Sequence, residues 1–133
     1  PRHQRVFAAR DKVGMRQLVY CNQPGKLFAC ATDAEALIRH PRVPARLNEG
    51  RIADLIMNLE AIDGVSTFYR DLWQLLPAHC LAVDRGGLKT WRYWKLEPQD
   101  IVERADDRAY EEAFLAVFTE AVAARLRAPE GVL

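Results

Sequence analysis

The chain has 133 residues, of which 50% are hydrophobic and 28% charged, with a net charge of +1. That balance excludes a disordered or fibrous chain and leaves room for one ordinary core, or one core plus a fragment of a second. No apolar run approaches the roughly 18 residues of a membrane-crossing helix, and Pro1-Arg2-His3-Gln4-Arg5 has no apolar stretch behind it to make a signal peptide.

In chain order, Arg5-Val6-Phe7-Ala8-Ala9 is a short apolar segment closed by the turn signal Asp11-Lys12-Val13-Gly14. Leu18-Val19-Tyr20-Cys21 and Lys26-Leu27-Phe28-Ala29-Cys30 flank Asn22-Gln23-Pro24-Gly25, which predicts an antiparallel hairpin. Thr32-Asp33-Ala34-Glu35 reads as a capping box with Thr32 as N-cap, opening a helix with Ala34, Leu37 and Ile38 on one face. That helix should stop before Pro41, because proline disfavours helical geometry in the residue before it. Asn48 is a good N-cap for a second helix, in which Ile52, Leu55, Ile56 and Leu59 recur at helical spacing.

Past Asp63-Gly64, Thr67-Phe68-Tyr69 leads into Leu72, Leu75, Leu76 and Pro77. A second hairpin is expected from Cys80-Leu81-Ala82-Val83, the turn Asp84-Arg85-Gly86-Gly87, and the run from Leu88 to Trp94. The pattern breaks around Glu97-Pro98-Gln99-Asp100, and a polar linker runs to about Arg108. The last element is a helix whose Tyr110, Phe114, Phe118, Val122 and Leu126 fall four apart in one apolar stripe. Asp106, Asp107, Glu111 and Glu112 near its start and Arg125 and Arg127 near its end suit the helix dipole. A single striped helix cannot bury its own stripe, so it reads as the opening of a second domain.

Little here spells out chemistry. Residues 1–51 carry ten Lys/Arg against four Asp/Glu, and the remainder nine against fourteen. Without a Gly-rich or aromatic RNA-binding signature, the basic half reads as a solvated face or one that meets acidic neighbours, and no nucleic-acid partner is expected. Three cysteines, Cys21, Cys30 and Cys80, are too few and too odd for a disulfide framework and fit a reducing cytoplasm. With His3, His40 and His79 they show no metal-binding spacing. His79 and Cys80 are neighbours in a strand, so they point to opposite faces rather than pairing for nucleophilic catalysis. Gly86-Gly87 is a turn and not a phosphate-cradling loop. Trp91, Tyr93 and Trp94 could stack a base or sugar, but the commoner use of such residues is filling a sheet–helix interface.

Several stretches resemble, in order, the asparagine synthetase family at the join between its glutaminase and synthetase domains. Arg10-Asp11-Lys12-Val13-Gly14-Met15-Arg16-Gln17-Leu18-Val19-Tyr20 is similar to R-D-P-x-G-x-x-P-L-Y-Y, and Ala31 to Leu37 to A-S-E-x-K-A-L, followed by His40-Pro41. Thr67 to Leu72 and Leu76-Pro77-Ala78-His79 resemble T-x-F-x-x-I-x-x-L-P-P-G-H. Arg92-Tyr93-Trp94 matches an R-Y-W that closes the first domain, and the ending at Pro129-Glu130-Gly131-Val132-Leu133 resembles the approach to an S-G-G-x-D-S ATP-binding loop. Lys12 and Gln17 stand where the family has prolines, Leu76 replaces the first Pro of P-P-G-H, and Ala78 its Gly.

The resemblance implies an α+β fold: residues 1–98 as the C-terminal part of a glutaminase-like, Ntn-hydrolase αββα sandwich with antiparallel hairpins, and 99–133 as a linker and the first helix of an α/β synthetase domain. It implies a longer parent, in keeping with a first residue of Pro1, that forms an amide from an ATP-activated carboxylate with glutamine-derived ammonia. Lasso-peptide cyclases and β-lactam synthetases share the layout and are the alternative within the family; a free-standing module binding a protein through Phe114 and Phe118 is the alternative outside it. The family's N-terminal cysteine nucleophile and nucleotide loop fall outside the matching stretches, so no catalytic, cofactor-binding or metal residue is carried over. ATP and Mg²⁺ are implied for the parent alone. The expected partners are the rest of that chain and a second copy in a homodimer, with no membrane.

Overall fold

The computed structural model describes residues 5–57, 63–97 and 102–126. Expectations resting on His3, Leu59, Arg127, the residues 98–101 of the linker and the ending 129–133 fall outside these. The chain divides into two compact units, Pro1–Leu96 and Glu97–Leu133.

The first unit mixes helix with antiparallel sheet, an α+β arrangement as expected. In chain order it holds β1 (Val6–Ala9), β2 (Val19–Gln23), β3 (Leu27–Ala31), α1 (Ala34–Ile38), α2 (Glu49–Ile56), β4 (Leu72–Gln74), β5 (His79–Asp84) and β6 (Gly87–Arg92). These strands make two three-stranded sheets, ordered β1-β5-β6 and β3-β2-β4. All pairings are antiparallel.

Both expected hairpins form. Gln23 pairs with Leu27 across a turn in which Gly25 adopts a φ of 71°. In the second hairpin Asp84 pairs with Gly87, so the loop is tighter than the four-residue turn anticipated, with only Arg85 and Gly86 between the paired positions. The Asp84 carboxylate accepts from the Gly86 N–H at 2.8 Å and closes it. The third strand of the second sheet, β4, pairs Leu72 with Cys21 and Gln74 with Val19.

Side-chain alternation places the core. Val19 and Cys21 of β2, with Leu72 opposite, share one sheet face and are buried with Leu37 of α1 and Val43; Leu27, Ala29, Ala31, Ala34, Ile38 and Tyr69 pack around them. Burying a leucine such as Leu37 contributes roughly 1.5–3 kcal/mol. In β5, Cys80, Leu81 and Ala82 are buried in succession. Successive strand residues point to opposite faces, so this central strand is covered on both.

Two helix starts differ in outcome. Asn48 caps α2 as expected, its side chain accepting from the Arg51 N–H. The α1 cap is Asp33 rather than Thr32: Asp33 is extended, with φ −145° and ψ 139°, and its carboxylate accepts from the Glu35 N–H at 3.1 Å. A carboxylate at a helix N-terminus is favoured by both hydrogen bonding and the dipole, which is why it displaces the neighbouring hydroxyl. The α2 stripe is less buried than its periodicity suggests: Leu55 and Ile56 are exposed. The helix is held instead at its start, where the Asn48 N–H donates to the Phe68 carbonyl at 2.8 Å and Nδ2 donates to Thr67 O.

The second unit contains α3 (Asp107–Ala123), capped by Asp106, whose carboxylate accepts from the Ala109 N–H at 2.9 Å. Phe114 and Phe118 of the predicted stripe stack with ring centroids 5.9 Å apart. Arg125, just past the helix, donates to the Ala121 carbonyl.

Candidate functional site

The chain passes between the two sheets twice, through residues 10–18 after β1 and through 75–78 after β4. These two crossings lie against each other. The Ala78 N–H donates to Asp11 O at 3.0 Å and the Leu75 N–H to Leu18 O at 2.8 Å, while the Arg10 N–H donates to His79 O at 2.9 Å.

Arg10 joins them. It is the one buried charged residue among those described, 8% exposed. Its Nη1 donates to Leu75 O, its Nε to Arg16 O at 2.9 Å and its Nη2 to Gly14 O at 3.2 Å. With its amide oxygen turned toward the guanidinium, Gln74 accepts from Nη1 at 2.8 Å. A planar fork with five donors spread over three nitrogens reaches divergent carbonyls that the single nitrogen of an ammonium could not all meet.

The rest of the junction explains the motifs around it. The Asp11 carboxylate accepts from the N–H groups of Met15 at 2.8 Å and Arg16 at 3.3 Å. Hydrogen bonding from the Met15 amide, foremost, holds its pKa below the ordinary value. Gly14 has a φ of 75°, and a Cβ there would come within 2.8 Å of Pro77 Cγ and 2.9 Å of Arg10 Nη2. Tyr93 closes the far side: its hydroxyl donates to Arg10 O and its N–H to Ala78 O. Lys12 places its ammonium 5.3 Å from the centre of the Trp94 ring.

Three separated stretches, Arg10–Gly14, Gln74–His79 and Tyr93-Trp94, thus converge on one knot. Arg10, Asp11 and Tyr93 received no individual role from the sequence, although the R-D-x-x-G spacing was there to be noticed. Its purpose is only visible when Leu75 and Ala78 are brought alongside.

The residues singled out for chemistry are dispersed. Cys21 is fully buried and burial pushes its thiol pKa up, with the Gln23 amide opposing; Cys80 is buried and Cys30 exposed. The Nδ1 of His79 lies 2.8 Å from Pro77 O, and the Nδ1 of His40 accepts from the Arg42 N–H. Among the described residues no three His, Cys, Asp or Glu side chains gather as a metal site. Trp91 contacts Phe7 across the β1-β5-β6 sheet, centroids 6.0 Å apart, and is 41% exposed. It therefore does not fill the sheet–helix interface expected of it, because α1 packs on β2 and β3 of the other sheet. The basic first half meets acidic residues of the second through Arg46–Asp71 at 2.7 Å and Arg5–Asp84 at 4.0 Å. No helix among the described residues is long and apolar enough to cross a membrane.

Among the open clefts of the first unit are two of different lining, of which only the second reaches the junction, through Gln17 and Gln74. The tips of both hairpins line one of about 520 Å³, from Asn22–Phe28 and Val83–Leu88. The other, about 310 Å³, lies between the start of α1, Arg51 and the Ser66–Tyr69 segment.

Comparison with known proteins agrees with the ordered motifs. Residues 1–94 match the glutamine amidotransferase domain family. Asparagine synthetase [glutamine-hydrolyzing] 3 of Bacillus subtilis (strain 168) is 28% identical over 103 residues, covering 77% of this chain. The chain spans 16% of that relative's length.

Proposed function

Because this chain belongs to the glutamine amidotransferase domain family, we propose that it is part of an asparagine-synthetase-like enzyme that forms an amide from an ATP-activated carboxylate and glutamine-derived ammonia. On this reading residues 1–98 complete a glutaminase-type sandwich and 99–133 lead into an ATP-dependent synthetase domain. The reacting groups lie elsewhere in a longer chain, and this part supplies scaffold.

The observation that carries the proposal is the match over residues 1–94 combined with the partial span of the asparagine synthetase relative. The junction supports the scaffold role. Its most constrained polar residues, Arg10, Asp11 and Tyr93, spend their hydrogen bonds on backbone groups of the same junction. A group so committed positions the chain; it is not poised for proton transfer or attack.

The described residues do not fit ATP or Mg²⁺. They offer no cluster of three metal ligands, and Gly86 and Gly87 are occupied in the hairpin turn. No step through either is assigned to them. Three unpaired thiols suit a reducing, cytoplasmic setting.

The test compares the 133-residue chain with the longer protein that encloses it. The longer protein should convert glutamine to glutamate in an ATP-dependent, carboxylate-dependent reaction, and the 133-residue chain should do neither half. Glutamine hydrolysis by the short chain would overturn the scaffold assignment. A longer protein that consumes no ATP with any carboxylate offered would overturn the reaction.

A further inference from the structure

No residue of α3 is buried, and its apolar side chains are arranged symmetrically about Phe118. Phe114 is 70% exposed, Leu115 61% and Phe118 53%, with Tyr110, Val122 and Leu126 exposed beside them. Phe114 and Phe118 stack, so the middle of the stripe is an aromatic ledge. Leu115 and Ala121 lie three positions to either side of Phe118, Phe114 and Val122 four, and Tyr110 and Leu126 eight. Glu111 and Arg125 lie seven to either side, about two helical turns, and so share the face of Phe118. The turn that carries Arg125 continues the helix, with the Leu126 N–H donating to Val122 O at 3.1 Å.

These two charges form no ion pair with any described residue; Arg125 donates only to the Ala121 carbonyl. The other charges of the helix are engaged or turned away. Arg108 donates to Glu112 at 3.0 Å, and Asp106 and Asp107 serve the helix start. Glu120, two residues past Phe118, projects from the opposite side. An apolar stripe closed by unlike charges at its two ends is self-complementary under a two-fold axis. With two copies antiparallel about Phe118, each Glu111 meets the partner's Arg125 and each Phe114 the partner's Val122. Leu115 then meets the partner's Ala121, a large side chain against a small one.

We propose that α3 is a self-association surface, through which two copies of this chain pair with their α3 helices antiparallel and crossing at Phe118. A parallel pair would set Glu111 against Glu111 and Arg125 against Arg125, so the charges select the antiparallel arrangement. The surface lies outside the matched residues 1–94 and does not depend on the proposed reaction. The competing occupant is a further segment of a longer chain, which would need no two-fold match of charge.

Sedimentation equilibrium on the full 133-residue chain tests this. A monomer–dimer equilibrium in the micromolar range is expected. Glu111→Arg and Arg125→Glu should each weaken it by about tenfold or more, and the chain carrying both should return to within about threefold of the unaltered one. Phe118→Asp should abolish the dimer. A chain that stays monomeric throughout the micromolar range, or a dimer indifferent to the single reversals, would overturn the proposal and leave the stripe to a segment of a longer chain. A double reversal no better than either single one would overturn it as well. Circular dichroism checks the helix content of every variant; if Phe118→Asp loses helix, the exposed charge reversals still decide the matter.

Discussion

Arg10 Nη1 donates to the carbonyl oxygen of Leu75 at 2.6 Å, a bond that spans 65 residues of sequence. It ties the first passage between the sheets to the second through one buried guanidinium. The same side chain serves Arg16 O and Gly14 O, and no other described residue replaces it.

Arg10→Met keeps the aliphatic stem and strands these carbonyls. It should lower stability by about 3 kcal/mol, since one buried and two partly buried acceptors lose a charged donor together. Arg10→Lys should recover only part, because an ammonium cannot reach three divergent carbonyls. Urea denaturation followed by tryptophan fluorescence measures both; full rescue by lysine would show that charge alone matters.

The two passages contain opposite backbone situations. Gly14 at φ 75° is pressed against Pro77 and Arg10, so Gly14→Ala should cost about 2–3 kcal/mol through strain and overlap. Ala78, where the family resemblance has glycine, sits at φ 58° and is buried. Relief of a left-handed residue, about 1–2 kcal/mol, outweighs the loss of one buried methyl, about 0.8 kcal/mol. Ala78→Gly should therefore raise stability, by on the order of 0.5 kcal/mol, while Ala78→Val lowers it. Thermal midpoints of the three variants check the signs.

Asp11 and Asp63 give the fold a specific acid sensitivity. The Met15 amide, first, lowers the Asp11 pKa and the Ser66 amide, first, lowers that of Asp63, both from an ordinary 3.8. A carboxylate depressed in the folded state adds stability that is fully present above its unfolded value and is lost as pH falls through the folded value. The stability gap between the unaltered chain and Asp11→Asn should thus be largest above pH 3.8 and shrink below it. Denaturation curves recorded across that range would count against the assignment if the gap stayed constant.

The thiols should separate by rate. Cys30 is exposed, whereas Cys21 and Cys80 are buried, and burial also raises the Cys21 pKa. A thiol-specific chromogenic reagent should label one cysteine quickly and two only on unfolding. Labelling of Cys30→Ser should lose the fast phase alone.

Much of this molecule is written locally. The Pro24-Gly25 and Gly86-Gly87 turns, the Asn48 cap and the four-residue spacing of Phe114 and Phe118 could be read directly, because turn geometry, capping and helical period involve residues only a few positions apart. The motif order also pointed to the family that residues 1–94 match. Choices between near-equal neighbours were less legible: Asp33 rather than Thr32 caps α1, by a difference of one residue and one charge.

What only the tertiary structure decided are the pairings between distant segments. β4 is three residues long and carries no strand signal of its own; it exists because Leu72 and Gln74 meet Cys21 and Val19. Arg10 looks like any surface arginine until Leu75 supplies the carbonyl that makes burial tolerable. Arg51 and Asp33 share a cavity only after α1 and α2 are placed. Local pattern sets which elements can form, but a buried polar group is stable only where its partners arrive, and that depends on contacts no short window of sequence contains.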